Sequence, residues 1–332
     1  MRAIVISGYG NPDKLELREM PRPVIADHEV LVEVHAAALN PVDAKIRAGK
    51  MWPLLTYKMP LILGNDIAGI VSETGKRVTR FRPGDRVFAT LDKRRLGAFA
   101  EAVAVSEEYL APVPAHLSFA EAAALPLVGL TVYQALQLAN FQPGQKVFIK
   151  AGAGGIGTFA IPYAKSRGAY VATTTSTANM GWVSKLGADL VIDYKKDRFE
   201  DLLSGYDIVL DSVDGEDVCR GLQILKPGGH LIALAGPPDA KFAHAFGANL
   251  FVQLACAALS WRETITAAMK GIHYHFLFVY PSGEQLRDIA QMVEQGAWKP
   301  VVDRVFAMDD MKAAFSYLEV GRAKGKVILS VK

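Results

Sequence analysis

Cysteine is nearly absent from this chain: Cys219 and Cys256 are the only two in 332 residues, and they lie far apart in sequence. Two such residues build neither a disulfide framework nor a cysteine-rich structural zinc site, and a reducing, cytoplasmic setting is the expectation. An excess of one charge is also missing. Lys and Arg number 37 against 34 Asp and Glu, a formal net charge of +3. Nothing in that balance favours phosphate-backbone binding, so nucleic acid is not an expected partner. Long apolar runs are absent as well. The most apolar stretch, residues 246–261, is interrupted by Asn249 and Gln253 and falls short of the ~20 residues that a membrane span requires. It reads as a buried or interfacial helix. The opening residues reach Gly8 and Gly10 too soon to leave room for a secretory apolar core, and export is not expected. Internal repeats, low-complexity tracts and a Ser/Gly linker are lacking too.

What remains is an ordinary globular α/β composition, 51% hydrophobic and 21% charged with 29 glycines, in a length that suits two domains. The first hundred residues read as short strands and turns: Val30-Leu31-Val32-Glu33-Val34, Asp66-Ile67-Ala68-Gly69-Ile70-Val71, and Arg82-Pro83-Gly84-Asp85 leading into Arg86-Val87-Phe88-Ala89. At Ser118, with Glu121 three residues later, a capping box announces a helix. From Lys146 strands and helices alternate, through Val147-Phe148-Ile149, a helix over 156–167, Tyr170-Val171-Ala172-Thr173, a helix over 180–186, Val191-Ile192, Ile208-Val209-Leu210 and Leu231-Ile232-Ala233-Leu234. That alternation predicts a doubly wound parallel sheet. A strand over 275–279, a helix over 284–294, the stretch 301–306, a second helix and a closing strand over 326–331 complete the chain. The closing strand needs partners and is expected to return to the first domain, giving one domain from 1–122 and 283–332 and another from 123–282.

The sharpest local signal is Gly152-Ala153-Gly154-Gly155-Ile156-Gly157, a G-x-G-x-x-G pattern between a strand and a helix. Gly152 allows the tight turn, Gly154 lets the backbone approach a pyrophosphate, and Gly157 lets helix and strand pack closely, while the helix start receives the negative charge. A tight turn with no ligand is the competing reading. An NAD site usually places a carboxylate on the adenine ribose at the end of the second strand. Here that strand ends in Thr173-Thr174-Thr175-Ser176-Thr177, which removes the repulsion a 2′-phosphate would meet and favours NADPH. Lys195 and Lys196 are candidate partners for that phosphate, with a solvated turn as the alternative. Pro162, inside the helix, is expected to bend it.

Four blocks then identify a resemblance: Ala38-Leu39-Asn40-Pro41-Val42-Asp43-Ala44-Lys45-Ile46-Arg47-Ala48-Gly49, Leu63-Gly64-Asn65-Asp66-Ile67-Ala68-Gly69, Ala124-Leu125-Pro126-Leu127-Val128-Gly129-Leu130-Thr131 and Gly321-Arg322-Ala323-Lys324-Gly325-Lys326-Val327-Ile328-Leu329. Together, and in order along the whole chain, they resemble the medium-chain dehydrogenase/reductase superfamily, in its zinc-independent quinone oxidoreductase branch. The resemblance implies a GroES-like β-rich catalytic domain, a Rossmann domain and an active-site cleft at their junction. In zinc-dependent relatives the position of Asn40 carries a ligand Cys, and Gly64-Asn65-Asp66 reads Gly-His-Glu. Both are missing, and so is the cysteine-rich lobe, so no metal is expected and a zinc-type alcohol dehydrogenase is disfavoured.

Without a Lewis acid the acceptor must already be electron-poor, and a quinone or an α,β-unsaturated carbonyl satisfies this by delocalising the charge that hydride brings. By the resemblance, Asn40 and Asp43 line the cleft, with the Asn40 amide as donor to a developing oxyanion; an Asn-Pro turn with a capping carboxylate is the competing view. Tyr57, on the loop 51–59 with Trp52 and Pro53, is a candidate proton donor. Thr131, Leu234 and Gly236 are placed beside the nicotinamide, Lys326 near the cofactor, and Ser176, Asn179 and Tyr194 at the adenine ribose end, although Ala178 stands where relatives often carry a basic residue. Phe246, Leu250, Phe251 and Leu254 read either as a wall for a long-chain acceptor or membrane surface, or as a helix packed on the core or a second subunit. His273 and His275 alternate on a strand, as a metal pair or as edge packing. A homodimer through a strand near Phe276 is implied by the resemblance. A catalytically idle NADPH-binding protein, like the lens crystallins of the family, is the alternative to an enzyme.

Overall fold

The computed structural model describes residues 1–52, 54–213, 217–296 and 298–332. Pro53, named above with the loop 51–59, lies outside the described residues. The chain forms two compact units, one from Met1–Leu130 with Tyr280–Lys332 and one from Thr131–Val279.

The first unit opens with β1 (Arg2–Ile6), β2 (Leu15–Glu19) and β3 (Glu29–Leu39), then α1 (Pro41–Arg47), β4 (Leu61–Ile62), β5 (Asp66–Thr74), β6 (Arg86–Thr90), β7 (Ala102–Ser106), β8 (Ala111–Pro112) and α2 (Phe119–Ala123). Strands β2, β1 and β4 form a small antiparallel sheet. The eleven-residue β3 is the spine of the larger one, pairing antiparallel with β5 and β7 along its length. The capping box expected at Ser118 is present: the Glu121 amide donates to Ser118 Oγ, and Glu121 Oε2 accepts from the Ser118 amide at 2.8 Å.

Helix α3 (Pro126–Leu138) carries the chain into the second unit. There β9 (Lys146–Ile149), α4 (Gly155–Ser166), β10 (Tyr170–Thr175), α5 (Met180–Ser184), β11 (Leu190–Asp193), α6 (Phe199–Leu202), β12 (Tyr206–Asp211), α7 (Gly221–Ile224), β13 (Leu225–Ala233), α8 (Ala240–Ala245), α9 (Leu250–Leu259), α10 (Trp261–Met269) and β14 (His273–Phe276) follow. The six strands are all parallel in the order β11-β10-β9-β12-β13-β14, the doubly wound arrangement read from the alternation. Its central strands are buried, every residue of β12 included, with the apolar run Ile208-Val209-Leu210 at its centre. Helix α4 runs through Pro162 to Ser166.

The chain then re-enters the first unit as α11 (Gly283–Glu294), β15 (Val302–Ala307), α12 (Met311–Glu319) and β16 (Lys326–Ser330). Strand β16 pairs antiparallel with β3, Val327 opposite Leu39, and parallel with β15. Helix α11 buries Leu286, Ile289, Ala290 and Val293, spaced three and four apart on one face, against β8. Gly283 permits this approach, since a Cβ there would stand 2.3 Å from Leu110 O. The core of this unit places Phe99 edge-on to Phe315 at 6.0 Å.

Two expectations change. The strand expected over 275–279 begins earlier and ends at Phe276. The stretch 246–261 is not a buried helix: Asn249 caps α9 by accepting from the Val252 amide at 3.1 Å, so the polar residue that interrupted the apolar run starts a helix. Its apolar face is open, with Leu250, Phe251 and Leu254 exposed, Phe251 by 83%. Among the described residues no helix is long and apolar enough to cross a membrane.

Candidate functional site

Two groups of residues carry the chemistry, one in each unit. In the second unit the turn after β9 is tied to the end of β10: the Ala151 amide donates to Thr174 Oγ1 at 3.2 Å, and the Gly152 amide to Thr174 O at 2.8 Å. Ala151 takes the left-handed conformation at φ 57° that this reversal needs. The three fingerprint glycines have separable reasons. A Cβ on Gly152 would stand 2.4 Å from Thr173 Oγ1, and one on Gly157 would stand 2.5 Å from Gly152 Cα, so the fold itself forbids side chains at both. A Cβ on Gly154 would meet nothing nearer than Ala151 O at 3.4 Å. The protein's own packing leaves room there, and the missing side chain opens a cradle in front of the α4 amides. Gly154 is also the N-cap and supplies no side chain to them. A pyrophosphate fits such a cradle, with Ala153, Gly155 and Ile156 completing the turn.

At the end of β10, Thr175 Oγ1 is buried and has no hydrogen-bond partner, an arrangement that suits a ribose hydroxyl. The parallel register brings Asp193 of β11 opposite Thr175, a carboxylate that inspection of the β10 sequence alone misses. Asp193 is already engaged: Oδ2 accepts from Thr177 Oγ1 at 2.6 Å, Oδ1 accepts from the Lys195 amide at 3.1 Å, and Lys196 Nζ lies 4.0 Å away. The Thr177 hydrogen bond holds its pKa below the usual carboxylate range. Ser176 is partly exposed, Tyr194 is exposed, and Asn179 Oδ1 accepts from Trp182 Nε1 at 3.1 Å. Leu234 donates its amide to Asp211 O at 2.8 Å, and Gly236 sits where a Cβ would press on Ala233 and Val218 at 3.0 Å. Thr131, in α3, is buried. His230 Nδ1 lies 3.3 Å from His275 Nε2, with His273 stacked on His230, and burial pushes His275 down to about 4.

In the first unit the pairing of β16 with β3 brings Lys326 to the start of α1. Its ammonium donates to Asn40 Oδ1 and to Leu39 O at 3.2 Å, and lies 3.7 Å from Asp66 Oδ2. Asn40 Nδ2 donates to Asp66 Oδ2 at 2.9 Å and to Ala38 O at 3.3 Å. The other Asp66 oxygen accepts from the Leu127 amide at 3.1 Å. Asp43 Oδ2 accepts from the Asn40 amide at 2.7 Å and Oδ1 accepts from Asn65 Nδ2. All five side chains are buried. Burial pushes Asp43 up to about 7 and raises Asp66, while Lys326 is lowered by the same burial and opposed by the two carboxylates.

This network corrects one expectation. Both N–H groups of the Asn40 amide are committed to Ala38 and Asp66, so Asn40 is a positioning residue and not the donor to an oxyanion. Asp43 caps α1, as its competing reading held. Tyr57 donates its hydroxyl to Lys93 O at 2.6 Å, and burial raises its pKa. The positions of the superfamily's zinc ligands are Asn40, Asn65 and Asp66, and a lysine ammonium already faces two of them. An amide and a carboxylate that already hold an ammonium, beside a second amide turned to Asp43, do not fit zinc.

Two family models match the chain: "Alcohol dehydrogenase GroES-like domain" over residues 26–115 and "Zinc-binding dehydrogenase" over residues 186–329. A 2-methylene-furan-3-one reductase from Solanum lycopersicum is 36% identical over 99% of this chain and 79% of its own length. An NADPH-dependent alkenal/one oxidoreductase, chloroplastic, from Arabidopsis thaliana is 35% identical over 99% of this chain and 79% of its own. Among solved structures, the quinone oxidoreductase from Coxiella burnetii superposes with a TM-score of 0.88 at 30% identity, covering 100% of this chain and 99% of that one.

Proposed function

The chain belongs to the medium-chain dehydrogenase/reductase superfamily, in its quinone oxidoreductase-like branch, and we propose that it is an NADPH-dependent reductase transferring hydride to a quinone or α,β-unsaturated carbonyl without a metal. The observation that carries this reading is the Lys326 ammonium seated among Asn40, Asp66 and Leu39 O, where zinc-dependent members hold their metal. An enzyme built this way polarises no unactivated alcohol or carbonyl through a Lewis acid, which restricts it to acceptors whose conjugation takes up the charge.

Bound NADPH supplies the hydride. The turn from Gly152 to Gly157 and the α4 N-terminus hold the pyrophosphate. Thr175 and Ser176 offer hydroxyls at the ribose end, while Thr177 and the Lys195 amide occupy Asp193 and leave less bare charge facing a 2′-phosphate. Asn40, Asp43 and Lys326 fix the start of α1.

A second copy of the chain is the proposed macromolecular partner. Strand β14 ends its sheet, α10 packs against β14, and the neighbouring α9 exposes an uncharged apolar face. A membrane-surface helix would carry basic residues along its polar side, and α9 has none. Cys219 and Cys256 are free and buried, which suits a reducing cytoplasm.

A panel of benzoquinones, naphthoquinones, short and long 2-alkenals and simple alcohols, each with NADPH or NADP⁺, tests the activity. Turnover of conjugated acceptors alone is expected. Alcohol oxidation with stoichiometric bound zinc would overturn the reading, and tight NADPH binding with no turnover would return the idle alternative.

A further inference from the structure

One cation in the first unit is left over when the network around Asn40 is assembled. Lys93 is 4% exposed, and its Nζ is buried without a hydrogen-bond partner. Such an ammonium is costly to bury, and a fold keeps one only where something else completes it. The charged groups around it are Asp66, Asp43 and Asp92, which favour the ammonium, and Lys326, which opposes it; desolvation outweighs these and lowers its pKa. A second orphan belongs to the same neighbourhood. Asn65 Oδ1 is buried with no partner while its Nδ2 is held by Asp43. The segment leading to Lys93 is bound to Asn65 through the Leu91 amide, which donates to Asn65 O at 2.7 Å, and the Lys93 carbonyl is held by Tyr57.

The two orphans have complementary chemistry. An ammonium needs an acceptor and an amide oxygen needs a donor, so one oxygen can satisfy both only when it bears a proton as well as a lone pair. A carbonyl oxygen that becomes a hydroxyl changes from the first kind of partner to the second. We propose that Lys93 delivers the proton that completes reduction of the conjugated acceptor, with Asn65 Oδ1 receiving the resulting hydroxyl. The inference rests on the reductase reading above. In electron terms, hydride adds to the electron-poor carbon and the π pair moves to the acceptor oxygen. The Lys93 N–H bond then breaks, its proton forms the new O–H bond, and Lys93 is left as a neutral amine; for a quinone this is the hydroquinone, and for an enone it is an enol, which loses that proton to water and takes one at the α-carbon to give the saturated carbonyl. The amine regains a proton from water.

The assignment also fills a gap. Asn40 has no donor to offer, Lys326 is tied to Asn40 and Leu39 O, and Tyr57 donates to Lys93 O. Among the described cationic groups of this cluster, Lys93 is the one whose ammonium has no hydrogen-bond partner.

The test compares wild type with Lys93→Met on a naphthoquinone and a 2-alkenal. The expected result is a fall in kcat of roughly 10²–10⁴-fold, the range for loss of a general acid. NADPH affinity, read by quenching of intrinsic fluorescence, should change less than about twofold, and the alkaline limb of the wild-type kcat profile should disappear. Should Lys93→Met fold poorly, Lys93→Cys treated with 2-bromoethylamine restores an amine at that position, and recovery of activity on alkylation supports the same conclusion. Unchanged kcat and pH profile in Lys93→Met, or no recovery in the alkylated cysteine variant, would overturn the assignment while leaving the reductase reading in place. Failure of the wild type to reduce any member of the panel would overturn both.

Discussion

Lys150 Nζ lies 2.9 Å from Asp211 Oδ2, and both side chains are buried at the C-terminal ends of the adjacent strands β9 and β12, directly below the glycine turn. Removing one member leaves the other charged in a medium that cannot solvate it. Lys150→Met alone is therefore expected to destabilise the protein by about 3–5 kcal/mol. The double variant Lys150→Met/Asp211→Leu, which removes both charges, should lose clearly less. Urea denaturation of the two variants and Asp211→Leu separates the pair's coupling from the packing each side chain provides.

Gly154 and Gly157 are expected to part company when each is changed to Ala. The Gly154 variant should fold with a loss under about 1 kcal/mol, the scale of an N-cap change, because its Cβ meets only Ala151 O at ordinary contact distance. Its affinity for NADPH should fall at least tenfold. At Gly157 the added Cβ would lie 2.5 and 2.6 Å from backbone atoms of Gly152 and Ala151, so thermal stability itself should drop. Melting curves with and without NADPH distinguish the two cases.

Stability should carry the signature of Asp43. Its folded pKa of about 7 stands above that of an ordinary unfolded aspartate near 3.9, so the native state holds a proton that the unfolded chain releases. Stability contributed by this group is therefore present at low pH, declines as pH rises from about 4 to about 7, and is constant above. The slope is at most ~1.4 kcal/mol per pH unit for one proton. Asp43→Asn should flatten that window in urea titrations taken at successive pH values.

His275 acts in the opposite direction. Burial, with His230 and His273 adding repulsion, pulls its pKa to about 4 against an ordinary 6.5, so the folded state refuses a proton that the unfolded chain accepts. Stability from the neutral ring is present above about 6.5 and is lost as pH falls toward 4. Replacement by Gln should raise the melting temperature at pH 5 relative to wild type while changing it little at pH 8.

Phe251→Asp addresses the assembly. The residue is 83% exposed on α9, beside exposed Leu250 and Leu254, and a charge there cannot destabilise a core it does not touch. Sedimentation equilibrium should show a dimer for wild type and a shift toward monomer of at least tenfold in Kd for the variant. A wild-type monomer, or a dimer indifferent to the change, would exclude this face.

Periodicity and turn chemistry made the second unit legible almost strand by strand, since each βαβ step is local and its apolar runs have only one consistent packing. Ser118 with Glu121 marked a helix start for the same reason. What eluded the sequence was lateral. Asp193 belongs to β11 and reaches the ribose end of β10 only through register with Thr175, eighteen positions away in the chain. Lys326 and Asn40 were each visible as candidates, yet nothing in either segment says that the two side chains bond, or that the Asn40 amide is thereby occupied. Lys93 gave no signal at all, because a lysine in a charged stretch with Arg94 and Arg95 reads as solvated surface until the fold buries it.

The union of β16 with β3 has a consequence for how the protein is made. The ladder that seats Lys326 beside Asn40 joins strands separated by the entire second unit, residues 131–279. During synthesis β3 can pair with β5 and β7 early, but the ribosome must deliver the whole second unit before β16 can join it, and Asn40 and Asp66 emerge long before their lysine. In the usual order of folding, first domain first, the first unit would lack β15 and β16 until the end of the chain emerges. Its middle is contiguous and complete as it emerges, and the unit that begins the sequence is the last to be completed.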